Sequence, residues 1–201
     1  MILQHLFIIL GWALFGVLHS ILASGRVKAW ANTILGSYAY CYRFGYTLFA
    51  LLQCVVLFLY MGKVDTILLC QVPAALQWVA VTAGCSGFLI MLASIRSYFY
   101  TFTGIAAVLK KDTHIPLQAG GLNRYVRHPL YTGTLMVCWG IVFWQPYLSF
   151  LVTASCIHLY TLIGMVYEER KLRREYGADY IAYAANVPKL IPRLSSFLPV
   201  K

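Results

Sequence analysis

Residues 128–167 read HPLYTGTLMVCWGIVFWQPYLSFLVTASCIHLYTLIGMVY and contain no Lys, Arg, Asp or Glu. A helix needs about 20 apolar residues to cross a hydrocarbon core of about 30 Å, so this stretch is long enough for two crossings. Gln145 and Pro146 interrupt it near its middle. The stretch therefore predicts a helical hairpin in a membrane, with one helix over residues 130–144 and the next over 147–167.

The rest of the chain has similar uncharged segments. Of the 201 residues, 61% are hydrophobic and 11% charged, and the mean hydropathy is +0.72. This composition lies outside that of soluble domains. We therefore expect an all-α, polytopic membrane protein with about five transmembrane helices in a single domain over residues 1–201. The three predicted spans that precede the hairpin are residues 3–23, 44–62 and 74–95.

The basic residues follow this predicted topology. There are 16 Lys and Arg against 6 Asp and Glu, a net charge of +10. Alternating connections place all the basic residues except Lys63 on one side, so the positive-inside rule predicts an N-terminus outside and a C-terminus in the cytoplasm. The net positive charge thus reflects the orientation of the chain in the membrane. We expect membrane lipids as partners, and neither a nucleic acid nor an obligate protein partner. In a bacterium this topology predicts the inner membrane.

The cysteines form no metal-binding pattern. All six are scattered, mostly within predicted spans, and no two form a C-x-x-C pair. Structural zinc sites usually contain such pairs. We expect no metal site and interpret the cysteines as small apolar packing residues.

A first polar segment, residues 114–133, reads HIPLQAGGLNRYVRHPLYTG. Pro129 suits the first turn of a helix, so the fourth span is predicted to begin there. Arg127 and His128 then lie at the membrane surface beside a helix N-terminus, whose unpaired N–H groups favour an anion such as a carboxylate. The alternative is an interfacial anchor of basic and aromatic side chains.

A second polar segment, residues 168–192, reads EERKLRREYGADYIAYAANVPKLIP and holds four of the six acidic residues. Ion pairs along a solvated helix explain part of it. Glu168 and Glu169, however, directly follow the uncharged run. An acidic pair at an anionic lipid surface is unfavourable unless a cation or hydrogen-bond donor faces it. We therefore expect a cationic ligand group there.

The predicted hairpin brings both polar segments to the cytosolic side. One segment attracts a carboxylate and the other a cation. S-adenosylmethionine carries a carboxylate, an amino group and a sulfonium, and it is made in the cytosol. The sequence therefore predicts a pocket at the cytosolic end of the last hairpin for a small zwitterion with extra positive charge, and S-adenosylmethionine is one such molecule.

The ordered motifs of the C-terminal half resemble those of the integral-membrane methyltransferases related to isoprenylcysteine carboxyl methyltransferase and the phospholipid methyltransferases. The N-terminal GWALFGVLHSILAS, Lys28 and YRFGY are similar to the small-thiol methyltransferase and denitrification-associated branches. The resemblance implies a catalytic, cofactor-binding half over residues 111–201 after three spans in residues 1–110. The motifs that carry it are Gly121, RHPLYTG at 127–133, EERKL at 168–172, YGADYIAY at 176–183 and VPKLIP at 187–192.

The resemblance implies S-adenosylmethionine-dependent methyl transfer, releasing S-adenosylhomocysteine, to a membrane-embedded or small apolar acceptor such as a lipid amine, thiol or carboxylate. It assigns catalysis to Arg127, His128 and Glu168, without a metal, and backbone contacts with adenosine to residues 114–118. The cofactor-binding residues that it implies are Leu117, Gln118, Asn123, His128, Pro129, Leu130, Tyr131, Glu168 and Glu169.

Two positions depart from the family pattern. Asn123 stands where many members have tyrosine, and Gly164 stands where the prenylcysteine enzymes would have an arginine for the substrate carboxylate. The second departure disfavours a prenylcysteine acceptor. His19 and Arg96, at the inner ends of the first and third predicted spans, are candidate substrate residues because ionisable groups within membranes are costly and often functional.

Two other functions remain open from the sequence. An NADPH-dependent sterol-type reductase shares a related helical pocket, but Leu130 occupies the position of an expected asparagine and Thr134 that of an expected acid. A non-catalytic membrane scaffold would make the charge pairing purely structural. Binding of S-adenosylhomocysteine or of NADPH separates these alternatives.

Overall fold

The structure, a computed structural model, describes residues 1–102 and 117–193. Every named element in these two ranges is helical, which confirms the predicted all-α class. Two short 3-10 turns, Gly36–Tyr38 and Gly121–Arg124, accompany the α-helices. The α-helices are α1 (Ile2–Ala23), α2 (Gly25–Leu35), α3 (Tyr40–Met61), α4 (Ala74–Phe102), α5 (Pro129–Trp144) and α6 (Leu148–Asn186).

Four of these helices, α1, α3, α4 and α6, are long and apolar enough to cross a membrane. The fifth apolar helix, α5, has only 16 residues. Many large apolar side chains on the helices are exposed, as expected of surfaces that face lipid. The protein is therefore a polytopic membrane protein, as predicted, and its orientation in the membrane stays a prediction.

Two helices continue well past the C-terminal ends of their predicted spans, and α3 begins at Tyr40, before the predicted residue 44. Helix α4 continues past residue 95 to Phe102, and α6 continues past residue 167 to Asn186. The predicted ends followed the last uncharged residue, whereas a helix can continue into water once its apolar part has left the lipid. We refer to residues 148–167 as the apolar part of α6 and to the remainder as its polar extension.

Glycines let α4 and α5 pack closely together. A Cβ atom on Gly133 of α5 would lie 2.6 Å from the carbonyl oxygen of Gly87 on α4. One on Gly140 would lie 2.9 Å from the Cα atom of Gly84. Small residues allow such close backbone contact in membranes, where lipid tails remove the hydrophobic drive for association. The α4–α5 contact therefore fixes the position of α5.

The α5–α6 connection is covered by the loop that precedes α4. The amide of Leu69 donates to the carbonyl of Pro146 at 2.8 Å, and that of Leu148 donates to the carbonyl of Ile67 at 2.9 Å. The Pro146 carbonyl and the first amide of α6, which the break between the helices leaves without helical partners, are thus paired at this end of the hairpin.

Helix α6 bends at Gly177, where the backbone φ of 54° lies in the left-handed region that glycine tolerates. After the bend, the chain returns toward the first turn of α5. The amide of Arg127 donates to the carbonyl of Pro188 at 2.8 Å, and that of His128 donates to the carbonyl of Lys189 at 3.1 Å. The bend therefore brings the end of the second polar segment against the first.

Candidate functional site

Arg127 and Glu169 form a buried ion pair at the start of α5. Glu169 Oε1 accepts hydrogen bonds from Arg127 Nε at 3.0 Å and Nη2 at 2.6 Å, and both side chains are 8% exposed. Arg127 Nη1 donates to the carbonyls of Ala184, at 2.8 Å, and Val187. The guanidinium group thus joins α5, the polar extension of α6 and the segment that follows it.

The charge of Glu169 is stabilised by its neighbours. Burial alone would raise the pKa of this carboxyl, but hydrogen bonds from Arg127 and His128 and the charge of Lys189, 3.6 Å away, lower the pKa below its usual value. Glu169 is therefore an ionised group with its charge already compensated by the protein.

His128 lies between the two acidic residues. Its Nε2 atom is 3.3 Å from Glu169 Oε1, and its Nδ1 atom is 3.6 Å from Glu168 Oε2. The ring stacks on that of Tyr131 with centroids 5.5 Å apart. The Tyr131 hydroxyl lies against Glu168 in turn. Both ring nitrogens of His128 are thus directed at carboxylates. We call Arg127, His128, Glu168 and Glu169 the carboxylate cluster.

The two acids of the cluster have different environments. The Glu168 side chain is 43% exposed, against 8% for Glu169. Glu168 therefore keeps an accessible carboxylate next to the first turn of α5. Pro129 has no N–H, and the next two amides of that turn, those of Leu130 and Tyr131, have no partner within the helix. The arrangement places acceptors for a cation beside donors for an anion.

A backbone strap over residues 187–190 holds the start of α5. Besides the two hydrogen bonds donated by the backbone amides of residues 127 and 128, the Thr132 hydroxyl donates to the carbonyl of Leu190 at 2.9 Å. The Tyr183 hydroxyl donates to the carbonyl of Asn123 at 2.6 Å, and Asn123 Nδ2 donates to the carbonyl of Arg127 at 3.3 Å. Asn123 therefore supports the turn before α5 in this structure.

The structure brings five predicted site residues together, namely Arg127, His128, Tyr131, Glu168 and Glu169. Pro129 occupies the first turn of α5, as the sequence predicted, and is buried with Leu130 half-buried beside it. The roles assigned to these residues stay predictions.

The other candidates lie on different segments of the chain. Leu117 is half-buried and Gln118 exposed on the segment before the 3-10 turn, and residues 114–116 lie outside the described residues. Arg96 is exposed on α4, and His19 is half-buried on α1. Their cofactor and substrate roles also stay predictions.

The predicted site residues do not include several residues that build the site. Thr132, Tyr183 and Lys189 hold the strap or the carboxylate cluster through side chains, and Tyr180, 1% exposed, packs beside Arg127 and Glu169. The VPKLIP motif marked the strap, but its contribution is largely through backbone carbonyls, which residue types do not reveal.

Comparison with known proteins agrees with this architecture. Residues 7–195 match the family of NnrU proteins. The chain is 30% identical over 195 residues to methanethiol S-methyltransferase 2 of Bradyrhizobium diazoefficiens, covering 90% of this chain and 71% of the relative. It is 29% identical over 195 residues to methanethiol S-methyltransferase of Crocosphaera subtropica, covering 89% and 71%.

A more distant relative matches only part of the chain. Protein-S-isoprenylcysteine O-methyltransferase B of Arabidopsis thaliana is 28% identical over 86 residues, covering 42% of this chain and 43% of the relative. No solved structure matches significantly. The coverage of the family and of the bacterial relatives shows that this chain belongs to the NnrU protein family and is an integral-membrane methyltransferase.

Proposed function

We propose that this methyltransferase takes its methyl group from S-adenosylmethionine and transfers it to a small thiol at the cytosolic end of the α5–α6 hairpin. The observation that carries the proposal is the difference between the paired acids. Glu169 is buried and compensated by Arg127, whereas Glu168 presents an accessible carboxylate beside His128 and the start of α5.

The residues present fit the groups of such a donor. The Glu168 carboxylate would hold its amino group, and the first-turn N–H groups of α5 would hold its carboxylate. The stacked rings of His128 and Tyr131 offer aromatic faces to the nucleoside and to the sulfonium. When bound, the donor supplies a methyl carbon activated by the positive charge on sulfur.

Arg127 acts as a positioning residue in this proposal. Its guanidinium group donates hydrogen bonds to Glu169 and to the carbonyls of Ala184 and Val187. These donors are therefore already used within the protein. It keeps the strap, α5 and α6 in one arrangement. Catalysis here depends on such positioning, because alignment of two reactants can lower a barrier by up to about 7–11 kcal/mol.

A small thiol is the acceptor best supported by the relatives and by Gly164. The bacterial relatives are named methanethiol S-methyltransferases. Gly164 offers no cation for a substrate carboxylate, and the Tyr131 hydroxyl lies 3.6 Å from where its Cβ would be. Tyr131 therefore occupies the space beside α6 toward which a longer side chain at this position would extend.

Titration calorimetry with S-adenosylhomocysteine tests the donor site. Glu168→Gln should weaken binding about 10-fold to 100-fold, since a hydrogen bond to a charged group contributes about 1.5–3 kcal/mol. Glu175→Gln is the matched control, because Glu175 is an exposed acid on the same helix with its partner at Lys171, and it should leave the affinity unchanged.

Three results would contradict the proposal. They are unchanged affinity in Glu168→Gln, wild-type protein that binds NADPH in place of S-adenosylhomocysteine, and wild-type protein that binds neither. Transfer of a labelled methyl group to methanethiol by the purified wild type tests the acceptor separately.

A further inference from the structure

An aromatic nest surrounds His19 at the end of α1. The His19 ring stacks on Phe15 with centroids 5.6 Å apart and meets the edges of Tyr46 of α3, at 6.2 Å, and Tyr160 of α6, at 6.3 Å. A Cβ atom on Gly16 would lie 2.9 Å from Tyr160 Cδ2, so this ring packs directly on the α1 backbone. We call Phe15, His19, Tyr46 and Tyr160 the aromatic nest.

The nest contains a polar atom without a partner. His19 Nδ1 is buried and has no hydrogen bond within the described residues. The contrast is His158, also on a membrane helix, whose Nδ1 accepts a hydrogen bond from Trp139 Nε1 at 3.1 Å. A buried polar atom left unpaired costs about 1–3 kcal/mol, which indicates a ligand that supplies the missing hydrogen bond.

The nest adjoins the carboxylate cluster through two tyrosines. The Tyr131 hydroxyl interacts with the Glu168 carboxylate and with Tyr160. On α6, Tyr160 precedes Glu168 by eight residues, or about 12 Å along the helix axis. The nest is therefore deeper in the membrane than Glu168 and on the same side of the hairpin.

A cation lies at the edge of the nest. Lys28 Nζ of α2 is 5.9 Å from the Tyr46 ring centroid, and the Lys28 charge interacts electrostatically with His19. Burial and then the charges of Arg43 and Lys171 lower the pKa of Lys28. A positive charge there stabilises an anion that forms in the nest.

We propose that the aromatic nest binds the thiol acceptor and that His19 Nδ1 takes its proton during methyl transfer. The inference rests on the function proposed above. The S–H bond breaks with its proton moving to His19. The sulfur electron pair forms the new S–C bond, and the donor's sulfonium–carbon bond breaks to leave a neutral sulfide. The imidazolium then releases the proton to solvent.

The chemistry of the nest suits this acceptor. Sulfur makes favourable contacts with aromatic rings, and the thiolate rather than the thiol is the nucleophile. His128 is less suited to accept the proton, because both its nitrogens face acidic side chains. Within the described residues, the ionisable groups beside His19 are Lys28, Tyr46 and Tyr160. Tyr42, next to Tyr46, donates its hydroxyl to the carbonyl of Leu22.

The test compares thiols of different acidity in His19→Gln. At neutral pH the variant should lose about 100-fold or more in kcat with methanethiol, in the range of general base catalysis. The loss should shrink as pH rises. With thiophenol, which ionises readily without help, it should be several-fold at most. His158→Gln, a matched histidine in the membrane, should retain wild-type rates with both thiols.

The inference is wrong if His19→Gln loses the same factor with both thiols at every pH, or loses none. Affinity for S-adenosylhomocysteine, unchanged in the variant, separates this failure from failure of the donor site. If His19→Gln and His19→Asn both fail to fold, the wild type decides. With methanethiol kcat/KM must fall on acidification, whereas with thiophenol it must stay level once it is corrected for the fraction of this acidic thiol that is ionised. Parallel profiles would overturn the assignment.

Discussion

Two regions of α5 are held in place by different interactions. Its start is fixed by the carboxylate cluster and the backbone strap, through charged and hydrogen-bonded groups. Along its length it contacts α4 through the backbone of glycines, which have no side chain to separate the two helices. The charged groups lie where water can reach one of the acids, and the glycines lie where lipid surrounds the helices.

This difference separates the requirements of binding from those of packing. A ligand site needs polar groups with fixed directions, and the buried ion pair supplies them although taking charges out of water is costly. Helix association within lipid needs only close backbone contact. Substitutions in the two regions should therefore have distinct effects, and comparing them tests the distinction.

Loss of the buried ion pair should have the largest effect. Arg127→Met leaves Glu169 charged and buried and removes the side-chain hydrogen bonds to the carbonyls of Ala184 and Val187. Breaking such a pair costs about 3–5 kcal/mol, so we expect this loss in the free energy of unfolding, measured with denaturant in detergent micelles. Arg124→Met, an exposed arginine three residues earlier, should change it by less than about 0.5 kcal/mol.

A second variant sharpens this prediction. Arg127→Met combined with Glu169→Leu removes both charges and should recover part of the lost stability, because apolar replacement of a whole buried pair is often tolerated. A double variant less stable than Arg127→Met alone would show that Glu169 stabilises the fold through His128 and Lys189 even without Arg127.

Substitution at the glycine contact between α4 and α5 should destabilise the protein less, and this loss of stability should not involve charge. Gly133→Ala places a methyl group 2.6 Å from the Gly87 carbonyl oxygen, and such overpacking costs about 1–3 kcal/mol. Gly45→Ala on α3 meets nothing within 4 Å and should not destabilise. Thermal unfolding in detergent compares the pair; equal melting temperatures would mean that α4 and α5 separate without cost.

The sequence predicted these two regions unequally. Uncharged runs located the helices, and the RHP and EE motifs located the carboxylate cluster, because charge at a membrane boundary is visible in residue types. The resemblance singled out Glu168, but the residue types did not predict that Glu169 is the acid paired with Arg127, since that depends on which acid the Arg127 side chain reaches. Of the aromatic nest, the sequence predicted only His19 as a site residue. The rings of the nest come from three helices, and no local sequence pattern specifies how these helices are rotated relative to one another.

The smallest effect is expected for the strap. Thr132→Val removes the hydroxyl that donates to the carbonyl of Leu190, at a cost of about 0.5–1.5 kcal/mol. If the strap opens locally, trypsin should then cleave after Lys189 about 2-fold to 13-fold faster, the same energies expressed as an opening equilibrium. Thr134→Val is the matched control, since its hydroxyl bonds within α5 to the carbonyl of Leu130. If trypsin cleaves both variants at the same rate, the hydrogen bonds donated by the backbone amides of residues 127 and 128 hold the strap without the threonine.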